Sequence, residues 1–396
     1  MILYTAAHGG FHESVPLGGG ATICDLLVEE WSRTKPFEFR LIRPNVQARD
    51  IVHFNERDYA RFSREFERYS TAEILKHDPE DTVVLANDVS EGPDFAALRD
   101  YRIFTIYHVD VVSYVADIYL RGLIRPETSV KWYSRLSWAL PSISKLVWEK
   151  QEASVLYSKG LIMPSEGMKE VMLRSYPACP PEKIHVLPWG VSDPSDPGDA
   201  VPLRFEFKVP DNARILLTLS RISPEKGQAL LLEKLIEWER RDDYPREPLW
   251  LFICGEAAFM QGVQYLEKLR SLAAKLKKTR VIFPGYVTGD RKNAFFALAD
   301  LYVFPSRHES YGLTLLEALA AGVPAVCLDH HGARSVMKEE FGAIVQASGL
   351  IPAIKRLLDD HNLEKMRVAA RSYALTNRFS DQAANLATLL SEELCR

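Results

Sequence analysis

The sequence predicts an α/β protein built from two doubly wound, parallel-sheet domains, and three observations carry that reading. Short apolar runs of strand length recur through both halves with helix-period segments between them, the alternation that makes a parallel sheet covered on both faces. A stretch rich in proline, aspartate and glycine, Val191-Ser-Asp-Pro-Ser-Asp-Pro-Gly-Asp-Ala-Val-Pro202, breaks the periodicity almost halfway along. The length of 396 residues allows two or three domains at roughly 150 residues each, so each half can bury its own core.

Taken in order, the first half offers strands at residues 2–7, 39–43, 82–86, 103–107, 161–163 and 185–187. The second half offers them at 215–219, 249–254, 281–283, 301–304, 325–328 and 343–345, and neither half shows a short-period repeat. Residues 380–396 read as a helix capped by Ser380 or Asp381, with apolar positions at Ala384, Leu386, Leu389, Leu390 and Leu394. The expected division is 1–195, 196–379 and a terminal helix at 380–396.

Composition is that of an ordinary globular chain, with 47% hydrophobic and 26% charged residues. A formal charge of -4 argues against general nucleic-acid binding, which needs a basic surface. The chain opens on an apolar strand with no basic stretch before it, and no apolar span approaches bilayer length, so a cytoplasmic protein is expected. The five cysteines are scattered and form no Cys-x-x-Cys pair, so they read as reduced and mostly structural. His8, His12, His330 and His331 have no carboxylate or cysteine at a ligand spacing and read as loop or surface residues; no metal is expected.

The richest stretch is Glu309-Ser-Tyr-Gly-Leu-Thr-Leu-Leu-Glu317. Before it, Asp300-Leu-Tyr-Val-Phe-Pro-Ser306 reads as a buried strand stopped by proline, which puts Glu309 in a loop at a strand's C-terminal edge. Gly312 makes the turn, residues 313–321 are good helix formers, and Gly322 and Pro324 stop them, so Glu317 lies about one turn into a helix. In open α/β sheets ligands sit outside the carboxyl ends of the strands, where the N–H groups of the following helix attract phosphate. A carboxylate cannot bind phosphate, so beside such a site it accepts hydrogen bonds from hydroxyls. Phosphate and hydroxyls together describe a sugar nucleotide. Glu309 is assigned to its sugar and Glu317 to its ribose.

The positive charge comes from Ser220-Arg-Ile-Ser-Pro-Glu-Lys-Gly227, between the strand at 215–219 and a helical pattern at 228–240. Arg221 and Lys226 stand on either side of a proline-containing loop, a planar fork and a point charge that can face one diphosphate. Together they can neutralise a departing nucleoside diphosphate, work that other transferases give to a divalent metal. The chain has no Asp-x-Asp triplet.

These two motifs resemble those of the retaining nucleotide-sugar glycosyltransferases of group 1 (glycosyltransferase family 4), marked by Arg-x4-Lys and Glu-x7-Glu. The C-terminal half is similar in order and spacing through Ser220 to Gly227, Phe252-Ile-Cys-Gly-Glu256, Phe283-Pro-Gly-Tyr-Val287, Pro305-Ser306 and Glu309 to Pro324. The N-terminal half is similar at Leu17-Gly-Gly-Gly20, at His108 and at Met163-Pro-Ser165. Two stretches depart from the pattern: Pro188-Trp-Gly-Val191 where the family shows Pro-Asn-Gly-Val, and His331-Gly-Ala-Arg-Ser-Val336 where it often shows a Gly-Gly pair with a later Glu.

The resemblance implies the GT-B arrangement, two Rossmann-like domains facing across a cleft with the terminal helix crossing back to the first. It implies a hexosyltransferase that retains anomeric configuration by same-face attack, the departing phosphate oxygen taking the acceptor's proton. Arg221, Lys226 and Glu309 would be its catalytic residues. Gly19, Gly20, His108, Tyr286, Val287, Tyr311, Gly312, Leu313 and Glu317 would bind the donor, with backbone groups near Gly285 to Val287 reading the base. The expected donor is UDP-glucose, with GDP-mannose next, the acceptor a glycan or lipid-linked glycan, and no cofactor is needed.

Two other classes stay in view. A sugar-nucleotide epimerase would need acids on both faces of a sugar carbon and no acceptor. A dinucleotide oxidoreductase would need Gly-x-Gly-x-x-Gly with a downstream acid after a strand, which the chain lacks. Between residues 111 and 158, Trp132, Tyr133, Trp138, Trp148 and Tyr157 mix with Arg121, Arg125, Lys131, Arg135, Lys145 and Lys150. Such mixing suits either peripheral contact with the inner face of a membrane or amphipathic helices packed on a sheet.

Overall fold

The structure, a computed structural model, describes residues 1–9, 18–46, 51, 54, 56–90, 92–109, 128, 130–131, 142–192, 198–257, 262–359 and 363–395. The chain divides into two compact units, one made of Met1–Pro188 with Ser380–Arg396 and the other of Trp189–Phe379. Each contains one parallel six-stranded sheet with helices, the α/β class expected.

In the first unit the strands are β1 (Ile2–Thr5), β2 (Phe39–Ile42), β3 (Val83–Ala86), β4 (Arg102–Ile106), β5 (Gly160–Met163) and β6 (Ile184–Val186). They pair in parallel in the order β2-β1-β3-β4-β5-β6. β1, β3 and β5 are buried at every position, as a sheet covered on both faces demands. The order reverses between β1 and β3, and that switch point opens a crevice at the strands' carboxyl ends.

The last helix, Phe379–Leu394, packs all but its first residue into this unit. It buries Ala383, Leu386, Ala387 and Leu390, a spacing that keeps one face of a helix inward. The expected stripe was rotated: Ala384 is exposed, while Leu389 and Leu394 are half-buried. Trp31 fixes the rotation by donating its indole N–H to the Ala383 carbonyl at 3.1 Å. Buried Glu393 pairs with Lys159.

The second unit holds β7 (Arg214–Leu219), β8 (Leu249–Cys254), β9 (Thr279–Gly285), β10 (Leu301–Phe304), β11 (Ala325–Leu328) and β12 (Gly342–Val345). Their order is β12-β11-β10-β7-β8-β9, so the switch point falls between β7 and β10. Leu231, Leu235 and Trp238 of the helix Gln228–Trp238 pack with Leu251, Ile253, Leu301 and Val303 of the strands in the main core. β9 runs longer than expected because it pairs with β8 along its length, through an irregularity between Phe252 and Cys254. The two ends of this unit are knitted together: Val191 N–H donates to Asn377 O and Phe379 N–H to Val191 O, both at 2.8 Å. A Cβ on Gly190 would lie 2.1 Å from the Arg378 carbonyl carbon, so glycine is required there. Trp189, which stands where the resembling family shows asparagine, is buried and stacks on Phe379 at 6.3 Å.

Of the aromatic and basic mixture, Arg121, Arg125, Trp132, Tyr133, Arg135 and Trp138 lie outside the described residues. Trp148 and Lys150 are buried on the helix Ser142–Tyr157, and the Lys150 ammonium pairs with Glu67 at 2.7 Å and the Gly92 carbonyl at 2.8 Å. Those two residues face the protein interior. Among the described residues no helix is long and apolar enough to cross a membrane. Cys24, Cys179, Cys254 and Cys327 are buried and unpaired, and Cys395 is exposed.

Candidate functional site

In the second unit both motifs leave the two strands that flank the switch point. The loop Ser220–Gly227 follows β7, the loop Pro305–Gly312 follows β10, and backbone contacts weld them together. Gly227 makes the weld possible. Its φ is +70°, and a Cβ there would lie 1.9 Å from the Pro305 carbonyl oxygen, so glycine is needed for conformation and for space. Arg307 N–H donates to Glu225 O at 2.9 Å. Buried Gln228 donates its amide to Ser220 Oγ at 2.9 Å and to Arg221 O at 2.8 Å, holding the start of the loop. The Tyr302 hydroxyl, inside the core, lies 2.9 Å from both Leu219 O and Thr314 Oγ1 and ties β7 to the helix Leu313–Ala320.

This framework brings Lys226 and Glu309 into direct contact: Lys226 Nζ donates to Glu309 Oε1 at 2.6 Å, and both side chains are mostly buried. Burial opposes the carboxylate's charge, but Lys226, aided by His330 and Ser306, holds the Glu309 pKa below the usual carboxylate value. Arg221 reaches toward Glu225 at 3.9 Å, and Ser223 Oγ donates to the same Glu225 oxygen at 2.6 Å. Gly312, at φ +96°, starts the helix Leu313–Ala320, and its carbonyl accepts from the Leu315 and Leu316 N–H groups. The N–H groups of Leu313 and Thr314 precede the first intrahelical bond, which makes this turn an anion-favouring edge.

Glu317 lies in that helix and accepts from Lys292 Nζ at 2.8 Å; both are about a quarter exposed. Tyr286, at 39% exposure, follows β9, and Val287 beside it is buried. Partial burial raises the Tyr286 pKa, as do the charges of Glu256 and Glu317, so the phenol stands in an acidic neighbourhood. Tyr311 is buried, with its phenol pKa pushed up by desolvation. The Gly332 N–H donates to Glu309 O at 3.0 Å, and a Cβ on Gly332 would lie 2.5 Å from Tyr311 O. The first turn of the helix His331–Val336, after β11, is therefore pressed against the loop after β10.

The first unit has a separate polar cluster at its own switch point. Asn87, at the end of β3, accepts from Tyr4 OH at 2.5 Å, contacts His108 Nε2 at 3.3 Å, and donates to Gly20 O at 3.2 Å. A Cβ on Gly20 would lie 2.9 Å from the His108 ring, so the glycine admits the imidazole. Desolvation pulls the His108 pKa to about 4 against the opposing contact with Asn87, and the ring is neutral at pH 7. The glycine run was expected to be a loop; Leu17 lies outside the described residues, Gly18 caps the helix Gly19–Thr34, and Gly19 and Gly20 are its first turn.

His8 and His330 both lie in bends outside helix and strand, as a loop reading expects, but one of them is away from the surface. His330 is not a surface residue: it is buried, packs edge-on against Phe304 at 5.4 Å, and caps the helix His331–Val336 by accepting the Ala333 N–H at 3.0 Å. His8 is half-buried and stacks on Phe62 at 6.2 Å, while His12 lies outside the described residues. Sequence reasoning also missed Lys292 and Asn87. Nothing in the sequence singles out Lys292, but Asn87 and His330 each follow a strand's carboxyl end, the rule that selected His108.

Residues 202–375 match the family model "Glycosyl transferases group 1". The chain carries a glycosyl transferases group 1 domain. The domain spans β7 to β12 and contains Arg221, Lys226, Glu309 and Glu317. The chain is 31% identical over 229 residues to a GDP-mannose-dependent alpha-(1-6)-phosphatidylinositol monomannoside mannosyltransferase of Mycolicibacterium smegmatis, covering 54% of this chain and 57% of that protein. It is 30% identical over 152 residues to a mannosylfructose-phosphate synthase of Agrobacterium fabrum, covering 38% of this chain and 33% of that protein. The matched part thus spans less than two thirds of these curated relatives. The fold is similar over 99% of this chain and 98% of the other to a sucrose-phosphate synthase from Thermosynechococcus elongatus, with TM-score 0.74 at 18% identity. The architecture is that of the GT-B glycosyltransferases.

Proposed function

We propose that this protein is a retaining hexosyltransferase that moves a sugar from a nucleoside diphosphate to a glycan or lipid-linked glycan, with cationic side chains rather than a metal neutralising the leaving group. The observation that carries the reading is the Lys226–Glu309 contact at 2.6 Å, which sets a phosphate-binding cation and a hydroxyl-binding carboxylate side by side at the switch point. Arg221 and Lys226, with the Leu313 and Thr314 N–H groups, would stabilise the departing diphosphate. Glu309 would grip the transferred sugar, and Glu317, held by Lys292, the ribose. Tyr286 and Val287 lie along the edge assigned to the base. The neutral cluster of Asn87, His108 and Gly20 suits hydroxyl recognition.

The donor we propose is UDP-glucose or GDP-mannose. The first is the sequence expectation, and the second is the donor named for relatives more than 30% identical. Incubating the protein with each sugar nucleotide, with and without EDTA, and following release of UDP or GDP tests the whole reading. Slow donor hydrolysis without acceptor, unaffected by chelation, supports it. Clean interconversion of two sugar nucleotides would point to an epimerase, and strict dependence on a divalent cation would remove the metal-independent mechanism. The anomeric configuration of the product, read by proton NMR, checks retention.

A further inference from the structure

The Glu309 carboxylate is surrounded by more donors than it uses. Lys226 Nζ takes Oε1 at 2.6 Å. His330 accepts the Ala333 N–H at Nδ1, which leaves its ring proton on Nε2, and that enclosed Nε2 has no hydrogen-bond partner. Ser306, after β10, is only partly used: its buried Oγ is near enough to Glu309 to help hold that carboxyl's pKa down, but it forms no hydrogen bond of full geometry. Native folds keep few buried donors unsatisfied, and two around one carboxylate call for a common explanation.

The backbone offers little freedom to supply it. Gly332 N–H holds Glu309 O at 3.0 Å, Gly332 and Tyr311 are in backbone contact, and Phe304 pins the imidazole ring. What remains free to move is the Glu309 side chain. A diphosphate arriving at Lys226 competes for its ammonium, and a buried carboxylate stripped of its cation needs new donors at once.

We propose that Glu309 has a second position, held by the His330 Nε2–H and the Ser306 hydroxyl, which it takes when an anionic ligand draws Lys226 away. His330 and Ser306 are then positioning residues, which act through Glu309 by keeping the carboxylate charged and aimed at sugar hydroxyls. The inference rests on the reading of this site as one for a nucleoside diphosphate sugar.

The test compares two ligands on each variant. His330→Asn keeps an acceptor for the Ala333 N–H and so keeps the helix cap, but puts no donor where Nε2 stood. Ser306→Ala removes the hydroxyl at almost constant volume, and stands in should the first variant fold poorly. Calorimetric affinities of the full chain are measured for bare UDP and GDP and for UDP-glucose and GDP-mannose. Each variant should bind both the bare diphosphate and its sugar nucleotide about tenfold more weakly, while the urea midpoint of the unliganded chain stays that of the unaltered protein. A lowered midpoint in both variants indicates a merely structural role and overturns the proposal, as does unweakened binding of the bare diphosphate. If the unaltered protein binds no nucleoside diphosphate, the reading of the site fails, and this inference fails with it.

Discussion

The two units place a neutral and a charged cluster at equivalent points of their sheets. Between β1 and β3 the first unit gathers Tyr4, Asn87, His108 and Gly20, a network in which desolvation keeps the imidazole neutral. Between β7 and β10 the second gathers Arg221, Lys226 and Glu309, where Lys226 keeps the carboxylate ionised despite its burial. Both follow from the rule that a parallel sheet opens a crevice where its strand order reverses. The difference teaches that topology supplies the location and a few side chains choose the ligand. A neutral network gives directional hydrogen bonds to groups such as hydroxyls. An ion pair can exchange partners with a diphosphate, because an incoming anion replaces one carboxylate at the ammonium.

That contrast can be broken most directly at the charged end. Replacing Arg221 or Lys226 by alanine should lower turnover by roughly hundredfold or more if each stabilises the leaving group in the transition state. Near-normal steady-state turnover in either variant would remove the charge chemistry from the second unit. The pH dependence of stability comes next. Burial lowers the His330 pKa from 6.5 to about 4, so the unfolded chain binds more protons between those values, and stability should be full above about pH 6.5 and fall toward pH 4. The loss attributable to this one group is at most about 3 kcal/mol. Urea unfolding followed across that range should show a flatter acid slope for His330→Asn; identical slopes would show that the histidine is not buried as a neutral ring.

A third expectation concerns the weld between the two loops. Gly227→Ala places a side chain at φ +70° and against the Pro305 carbonyl, so it should destabilise the protein by about 2 kcal/mol or more, read from the urea midpoint. A neutral result would mean that the loops part easily and that Lys226 and Glu309 are less firmly joined than their contact implies. Asn87→Ala, at the neutral end, should cost about 1–2 kcal/mol in stability by orphaning its partners. It should leave the affinity for bare UDP or GDP unchanged. Weaker diphosphate binding in this variant would erase the division of labour between neutral and charged clusters.

Much of the architecture could be read from the chain. Every strand of both sheets appears near its expected position, and those at Leu249–Cys254, Leu301–Phe304 and Ala325–Leu328 coincide with it. Apolar runs bounded by proline and glycine are strong local signals, because a strand buried on both faces has no alternative composition. The terminal helix was legible as a helix but not in its rotation: Ala384 and Ala383 are equally apolar, and the Trp31 hydrogen bond to Ala383 lies across the fold. In the candidate site, Arg221, Lys226, Glu309 and Glu317 stood out by type and spacing, while Lys292 and His330 did not. Lys292 is an ordinary surface-type lysine until Glu317 is placed beside it, and His330 gave no sign in the sequence that it would be buried.

The sequence was enough for the class of fold, the places where strands end, and the residue types able to meet a phosphate or a hydroxyl, since these depend on composition and short spacing. Its motifs are separated by more than eighty residues, and nothing local says that Lys226 meets Glu309 at 2.6 Å rather than standing apart from it. That contact depends on the parallel pairing of β7 with β10, on a glycine that lets one loop touch the other's backbone, and on burial that makes a lone carboxylate costly. Pairings across a sheet, and the protonation states that burial imposes on His108 and His330, come from neighbours that are distant in the chain, so they took shape only when the chain folded.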